Sequence, residues 1–195
     1  MIRILKLHFS GLWRFSGREI SAQFWPWVAI VMVLNMAVAA FVMFPIMFES
    51  FAKMDRFVRE HPDQGTITTG PGTYSVQVQG YHPELMPDIS GFIQSVQIST
   101  LVSVLLLAAA VARRLHDTGR SGFFGLLPLP FLTVGLTLFP RFLAQTMSEV
   151  SPDMNRFAIL FANNMLYLAL LGLLAFLLAR KSSMGDNRFG PPPAG

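Results

Sequence analysis

One short run of the sequence holds most of the polar side chains whose types suggest chemistry. It reads Arg-Arg-Leu-His-Asp-Thr-Gly-Arg-Ser-Gly over residues 113–122 and lies between two long apolar segments. Arginine binds phosphate and carboxylate groups through paired hydrogen bonds, and the first turn of a helix offers free backbone N–H groups to an anion. If a helix begins near Ser121, the run predicts an anion site, and a lipid phosphate is the nearest abundant anion.

The same run has a purely structural interpretation. Asp-Thr-Gly is ordinary turn chemistry, because an aspartate side chain bonds readily to its own backbone. Asp117 could instead pair with Arg18 or Arg188 and close a bundle of helices. The residues alone leave structural closure and anion binding open as alternatives.

No catalytic or metal-binding arrangement is recognisable in the sequence. His116 and Asp117 are adjacent, so their side chains diverge and do not form a base with its orienting carboxylate. A single Asp-Thr-Gly lacks the second carboxylate of an aspartic protease. His61 and His82 have no metal-ligand spacing, and the chain has no cysteine, which excludes thiol chemistry. We therefore predict a protein that is not an enzyme, and we expect no catalytic residue, metal ion or cofactor.

The distribution of charge predicts an integral membrane protein. Hydrophobic residues make up 52% of the chain and charged residues only 13%. Four stretches carry no charged residue: Ile20–Phe48, Ile89–Ala112, Ser121–Pro140 and Phe157–Ala179. Each can cross a hydrocarbon core of about 30 Å, which needs roughly 20 helical residues. A fifth uncharged stretch, residues 64–83, is rejected because it is rich in Gln, Thr, Gly and Pro.

Basic residues indicate how these spans are oriented. Ten of the 15 lysines and arginines fall in the N-terminal segment, in the loop between the second and third spans, and in the C-terminal tail. The positive-inside rule then places both termini in the cytoplasm. The pI near 10.0 therefore reflects membrane orientation, and no nucleic-acid partner is expected.

The predicted fold is all-α, a four-transmembrane-helix bundle with both ends inside and one long periplasmic loop. It forms one membrane domain over residues 1–195, whose segments in chain order are a cytoplasmic basic segment 1–19, a first span 20–48, a periplasmic loop 49–88, a second span 89–112, a cytoplasmic loop 113–120, a third span 121–140, a periplasmic loop 141–156, a fourth span 157–179 and a cytoplasmic tail 180–195. The first segment either forms an amphipathic helix in the headgroup region or is a disordered basic flank.

Local signals add detail to three of these segments. Gly70-Pro71-Gly72 stands before an alternating strand pattern and predicts a β-hairpin in the long loop. Trp25 and Trp27 suit a membrane–water interface. Pro128 and Pro130 predict a kinked or broken third helix, and a re-entrant third segment is the alternative. Cleavage as a signal peptide after Ala39 is disfavoured, because the apolar run continues beyond it.

Three blocks of the sequence resemble a bacterial membrane family called domain of unknown function 805. The blocks are Phe15-Ser16-Gly17-Arg18 with Phe24-Trp25 downstream, the run of residues 113–122, and Asn187-Arg188-Phe189-Gly190-Pro191. The chain departs from the family pattern at Phe123-Phe124, where tryptophans are expected, and in the length of its first loop. The resemblance implies a small protein of the bacterial cytoplasmic (inner) membrane and brings no established activity.

The predicted orientation puts all three blocks on the cytoplasmic side, where their polar residues could form one cluster. The candidate site residues are Arg18, Arg113, Arg114, His116, Asp117, Arg120, Ser121, Asn187 and Arg188. We interpret the cluster as a site for anionic phospholipid headgroups or for a partner protein, which includes a second copy of the chain or another membrane protein.

The alternative function is a small oligomeric transporter or channel. The outer half of the second span is rich in Gln, Ser and Thr, which either bond to other helices or line a water-filled path. No charged residue lies within the spans, which disfavours a proton-coupled pump.

Overall fold

The computed structural model describes residues 2–148 and 153–192. In this part of the chain the elements are α1 (Ile2–Ser10), α2 (Ser21–Glu60), β1 (Gly65–Gly70), β2 (Thr73–Val78), α3 (Ser90–Asp117), α4 (Leu129–Ser148) and α5 (Met154–Ala179), with short 3₁₀ turns at Pro83–Leu85 and Gly122–Leu126. The chain is therefore mainly helical, as predicted.

Four helical segments are long and apolar enough to cross a membrane. They are Ser21–Glu60, Ser90–Asp117, Gly122–Thr146 and Met154–Ala179, with mean hydropathies between 1.8 and 2.4 over their most apolar windows. Only 6% to 17% of each window is buried within the chain, so most of these apolar side chains face outward. Such surfaces suit contact with lipid, and the prediction of a multi-pass membrane protein with four spans agrees with this architecture.

Helix α2 is longer than the first predicted span. It continues through residues 49–60, which the sequence analysis assigned to the loop, and its 40 residues correspond to about 60 Å of helix. Its last part is polar and carries ion pairs at i,i+4 spacing, Glu49 with Lys53 and Asp55 with Arg59, each at 2.8 Å. Such pairs stabilise an exposed helix, so the change from apolar to charged residues did not show where α2 ends.

The described chain divides into two compact units, Leu34–Ser99 and the combination of Met1–Val33 with Thr100–Gly195. In the first of these units β1 and β2 pair antiparallel, with Gly70 opposite Thr73, which confirms the predicted hairpin. The hairpin lies against α2. A Cβ atom on Gly65 would stand 2.6 Å from the Val58 side chain, so only glycine permits this close approach.

The other unit has a small core where α2, α3 and α5 meet. Its buried residues are Phe24, Trp27, Val31, Ala110, Leu115, Leu174, Leu177 and Leu178. Trp27 is 1% exposed; it stacks on His8 at 4.8 Å and donates from Nε1 to the carbonyl of Leu106 at 3.1 Å. Trp27 thus packs in the core, whereas Trp25 is 38% exposed, and the interfacial depth of both rings stays a prediction.

The third apolar segment is broken, as its prolines predicted. A 3₁₀ turn over Gly122–Leu126 is followed by buried Pro128, and α4 begins at Leu129 and continues past Pro140. Proline has no N–H for the preceding turn, so the α-helix begins only after it. Helix α4 packs against α5, where Asn163 donates its amide to the carbonyl of Phe131 at 3.0 Å.

The N-terminal segment is helical over Ile2–Ser10 rather than irregular. His8 points inward and is 1% exposed, whereas Ile2 and Phe9 are 83% and 56% exposed. An amphipathic helix of this kind fits the interfacial interpretation better than a disordered flank.

Candidate functional site

A buried carboxylate at the end of α3 organises the polar residues of the larger unit. Asp117 has no exposed surface. Arg18 donates from Nε to Oδ1 at 3.1 Å, and Arg114 donates from Nη1 to Oδ2 at 2.5 Å. The hydroxyl of Ser182 donates to Oδ2 at 2.5 Å. Of the two partners predicted for Asp117, Arg18 and Arg188, the structure shows Arg18, and Arg114 is a second cation beside the same carboxylate.

A second buried carboxylate, Glu19, holds the other arginine of the run. Arg113 donates from Nε to Oε2 at 2.9 Å, and its Nη2 lies 2.8 Å from the same oxygen. His8 places Nε2 2.8 Å from Oε1, while its Nδ1 lies 2.9 Å from the carbonyl of Ile4. Both ring nitrogens of His8 therefore lie within hydrogen-bond distance of an oxygen. Glu19 thus lies between the guanidinium of Arg113 and the ring of His8.

The guanidinium groups of Arg18 and Arg114 also bind main-chain carbonyls near the end of α5 and in the tail. Arg114 donates from Nε to Leu178 O at 2.9 Å and from Nη2 to Arg180 O at 2.5 Å. Arg18 donates from Nη2 to Ser183 O at 2.7 Å. The last carbonyls of a helix have no partner within the helix, so these arginines satisfy the end of α5 and fix the tail to α3.

Arg113 plays the same role at the other end of the chain. Its Nη1 donates to Gly11 O at 2.9 Å and to Arg14 O at 2.6 Å, and the backbone N–H of Glu19 donates to Arg113 O at 3.2 Å. The segment between α1 and α2 is therefore tied to α3. We call this assembly of Arg18, Glu19, Arg113, Arg114 and Asp117 the arginine network.

The third sequence block forms a turn that packs on the end of α3. Asn187 donates from Nδ2 to His116 O at 3.0 Å and to Ser183 Oγ at 2.8 Å, and its Oδ1 accepts from the N–H of Phe189 at 2.8 Å. Ser183 donates its N–H to the carbonyl of Asp117 at 2.9 Å. Asn187 thus holds the tail against the end of α3.

His116 points away from Asp117, as expected for neighbours in a helix. Its Nδ1 lies 3.2 Å from the carbonyl of Gly17, and its ring stacks on Phe189 with centroids 3.9 Å apart and planes 9° apart. The ring therefore joins the first and third sequence blocks, and the two side chains form no catalytic dyad.

The remaining candidates are more accessible. Arg188 is exposed, and its guanidinium lies over the Phe189 ring at 4.7 Å. Arg120 is half-buried, and within the described residues neither arginine pairs with a carboxylate. Ser121 accepts from the N–H of Phe123 at 3.4 Å and so begins the 3₁₀ turn.

A cleft of about 710 Å³ lies beside the arginine network, between α3, α4 and α5. Its walls are almost entirely apolar, and its polar lining residues are Thr100, Ser103, His116, Ser121 and Tyr167. From Thr100 to His116 the helix rises about 24 Å at 1.5 Å per residue. His116 and Phe189 lie at the end next to the network, which we call the His116 end, and Thr100 and Ser103 lie towards the other end.

The structure brings together most of the residues singled out by the sequence, and four contributors were missed. Arg18, Arg114, His116, Asp117 and Asn187 are linked directly, and Arg113 is linked through Glu19. The missed residues are His8, Glu19, Ser182 and Ser183. Glu19 carried a signal, because a carboxylate next to Arg18 at the start of an apolar span requires a cationic partner once buried.

Comparison with known proteins gives one result. A family model described as "Protein of unknown function (DUF805)" matches residues 12–191. A search of curated proteins and a search of solved structures each found no match. The matched region contains all three sequence blocks and the entire described part of α2 to α5, so the chain belongs to the DUF805 family.

Proposed function

We propose that this protein is a non-enzymatic, multi-pass protein of the bacterial cytoplasmic membrane that binds one anionic phospholipid in the cleft between α3, α4 and α5. Both termini and the arginine network lie on the cytoplasmic side, and the lipid belongs to the inner leaflet. The observation that carries the proposal is the apolar cleft itself, whose lining includes Ser121 and Phe189, the residues that follow Arg120 and Arg188 in sequence.

The shape and lining of the cleft suit an acyl chain. Its volume of about 710 Å³ falls within the range of small-molecule sites. Its walls come from helices that are apolar enough to span a membrane, so the molecules closest to it are lipids. A chain running along about 24 Å of α3 would contact Leu107, Val111 and Leu171. Burial of the apolar surface of the acyl chain against these side chains stabilises the complex by about 25 cal/mol per Å² of apolar area.

The arginines near the His116 end favour an anionic headgroup. The guanidinium groups of Arg18, Arg113 and Arg114 already bind carboxylates and carbonyls within the chain. Arg120 precedes cleft-lining Ser121, and Arg188 precedes cleft-lining Phe189. A phosphate at this end would meet two cations, each worth about 1 kcal/mol near an anionic membrane surface.

Native mass spectrometry of the purified protein tests the proposal. We expect the wild type to retain anionic phospholipid and the Arg120→Gln/Arg188→Gln variant to bind it about 30-fold more weakly, which corresponds to about 2 kcal/mol. The matched control removes two exposed arginines that are each at least nine residues from any cleft-lining residue in sequence, Arg56→Gln/Arg141→Gln, and should bind as the wild type does. Equal binding by the two double variants would refute the proposal.

The orientation is tested separately by cysteine labelling, for which the cysteine-free chain offers no background. The cysteines replace exposed residues, so that the packing of the chain is kept. The variants are Ser16→Cys, Met184→Cys and Ser75→Cys, and Met184 is 99% exposed. In intact cells a membrane-impermeant maleimide should label only the Ser75→Cys variant. Labelling of Ser16→Cys or Met184→Cys would show that the proposed orientation of the termini is wrong.

The polar residues of α3 support lipid binding over an aqueous path. Ser95 donates its hydroxyl to Phe92 O at 2.8 Å, and Ser99 donates to Val96 O at 3.2 Å. These hydroxyls bond to the carbonyls of their own helix, which reduces their capacity to solvate a solute.

A further inference from the structure

Within the lipid class given above, we propose that His116 selects a headgroup that carries a hydroxyl group. This inference rests on the proposed function, because the lipid must first occupy the cleft. The histidine would accept one hydrogen bond from the headgroup, while Arg120 and Arg188 face the phosphate.

The hydrogen bond to Gly17 fixes which nitrogen of the ring carries the proton. Nδ1 of His116 lies 3.2 Å from the carbonyl oxygen of Gly17. A carbonyl oxygen only accepts, so Nδ1 is the donor and carries the hydrogen. In the neutral ring Nε2 is then left with a lone pair, and it accepts a hydrogen bond rather than donating one.

Nε2 faces the cleft. It lies 3.4 Å from the point that a Cβ atom on Gly122 would occupy, and Gly122 is a lining residue. Among the described residues no group donates a hydrogen bond to this nitrogen, and no fully enclosed side-chain nitrogen or oxygen lacks a partner. Nε2 is therefore accessible from the cleft.

The surroundings of the ring cover one of its faces and favour its neutral form. One face of the imidazole is covered by the parallel ring of Phe189. Partial burial disfavours a second proton on His116, and so does the positive charge of Arg188, whose guanidinium lies over that same Phe189 ring. A neutral acceptor among apolar walls costs free energy unless a donor meets it.

A comparison of phosphatidylglycerol with phosphatidylmethanol separates a preference for the hydroxyl group from the effect of headgroup charge. Both have a single phosphodiester charge, and they can be prepared with the same acyl chains. Only the glycerol headgroup has hydroxyl groups to donate. A preference between them therefore reports the hydroxyl contact and not the electrostatic attraction to Arg120 and Arg188.

The test is a competition of the two lipids for the purified full-length protein, measured by native mass spectrometry. The wild type should prefer phosphatidylglycerol by about 3- to 10-fold, the range expected for one hydrogen bond. The His116→Asn variant keeps an amide donor for the Gly17 carbonyl but has no acceptor at the Nε2 position. It should bind both lipids equally.

The outcomes distinguish this inference from the function on which it rests. Equal retention of both lipids by the wild type would overturn the role of His116 and leave lipid binding intact. Retention of neither lipid would overturn the proposed function as well. The competition in the wild type can refute the role of His116 by itself, even if the His116→Asn variant does not fold. A preference that persists in folded His116→Asn would also overturn it.

Discussion

Replacing Asp117 with asparagine is expected to destabilise the protein by about 3–5 kcal/mol, the range for removing one member of a buried ion pair. The carboxylate has no exposed surface and lies between the guanidinium groups of Arg18 and Arg114. Asparagine has nearly the same shape, so the change removes charge and adds no cavity. Two buried cations then lose their only anion within this part of the network.

The consequence extends to the tail and to the end of α5. Arg18 and Arg114 are held by Asp117 in the positions from which they bind the carbonyls of Ser183 and Arg180. Once the two guanidinium groups repel each other without compensation, the tail and the end of α5 lose these donors. We therefore expect loosening of the tail together with the loss of global stability.

Thermal unfolding in detergent, followed by the recovery of monodisperse protein on size exclusion, measures the effect. For a chain of this length a loss of 3–5 kcal/mol corresponds to a decrease in Tm of about 6–20 °C. Asp186→Asn is the matched control, since Asp186 is exposed and lies in the same tail. A Tm for Asp117→Asn equal to that of the control would show that the network does not hold the fold together.

Charge patterning predicted the spans because lipid imposes a simple rule. An uncharged run of about 20 residues is readable from composition alone. The hairpin was also predictable, because its Gly70-Pro71-Gly72 turn is encoded locally. The end of α2 was not predictable. Charged residues occur equally in a loop and in an exposed helix with i,i+4 pairs, and this part of α2 carries Glu49, Lys53, Asp55 and Arg59.

The candidate site was only partly predictable for a different reason. Arg113 and Arg114 are neighbours in sequence, yet they point to different carboxylates because successive residues of a helix are about 100° apart. The sequence showed which residues were polar but not which acid each would meet. His8 was counted with a basic flank, although its partner Glu19 is 11 residues away. Only the packing of α1 against Trp27 brings these two side chains together.

The contact between Glu19 and Arg113 gives the second large expected effect. Glu19→Gln leaves the guanidinium of Arg113 and the ring of His8 facing a neutral amide, and Arg113→Met leaves Glu19 with His8 alone. Each single change should cost about 3 kcal/mol. The double variant should cost less than the sum by about 1.5–3 kcal/mol, because it buries neither charge without its partner.

An exposed ion pair of the same length provides the matched control for this double-mutant cycle. Glu49 and Lys53 on α2 are also 2.8 Å apart, but their side chains are 69% and 49% exposed. The coupling between Glu49→Gln and Lys53→Met should be about 0.3–0.5 kcal/mol, because water screens the pair and competes for it. The two cycles differ in burial and not in distance. If their coupling energies are equal, burial does not strengthen the arginine network, and the pairing of α1 and α2 with α3 must be attributed to apolar packing around Trp27.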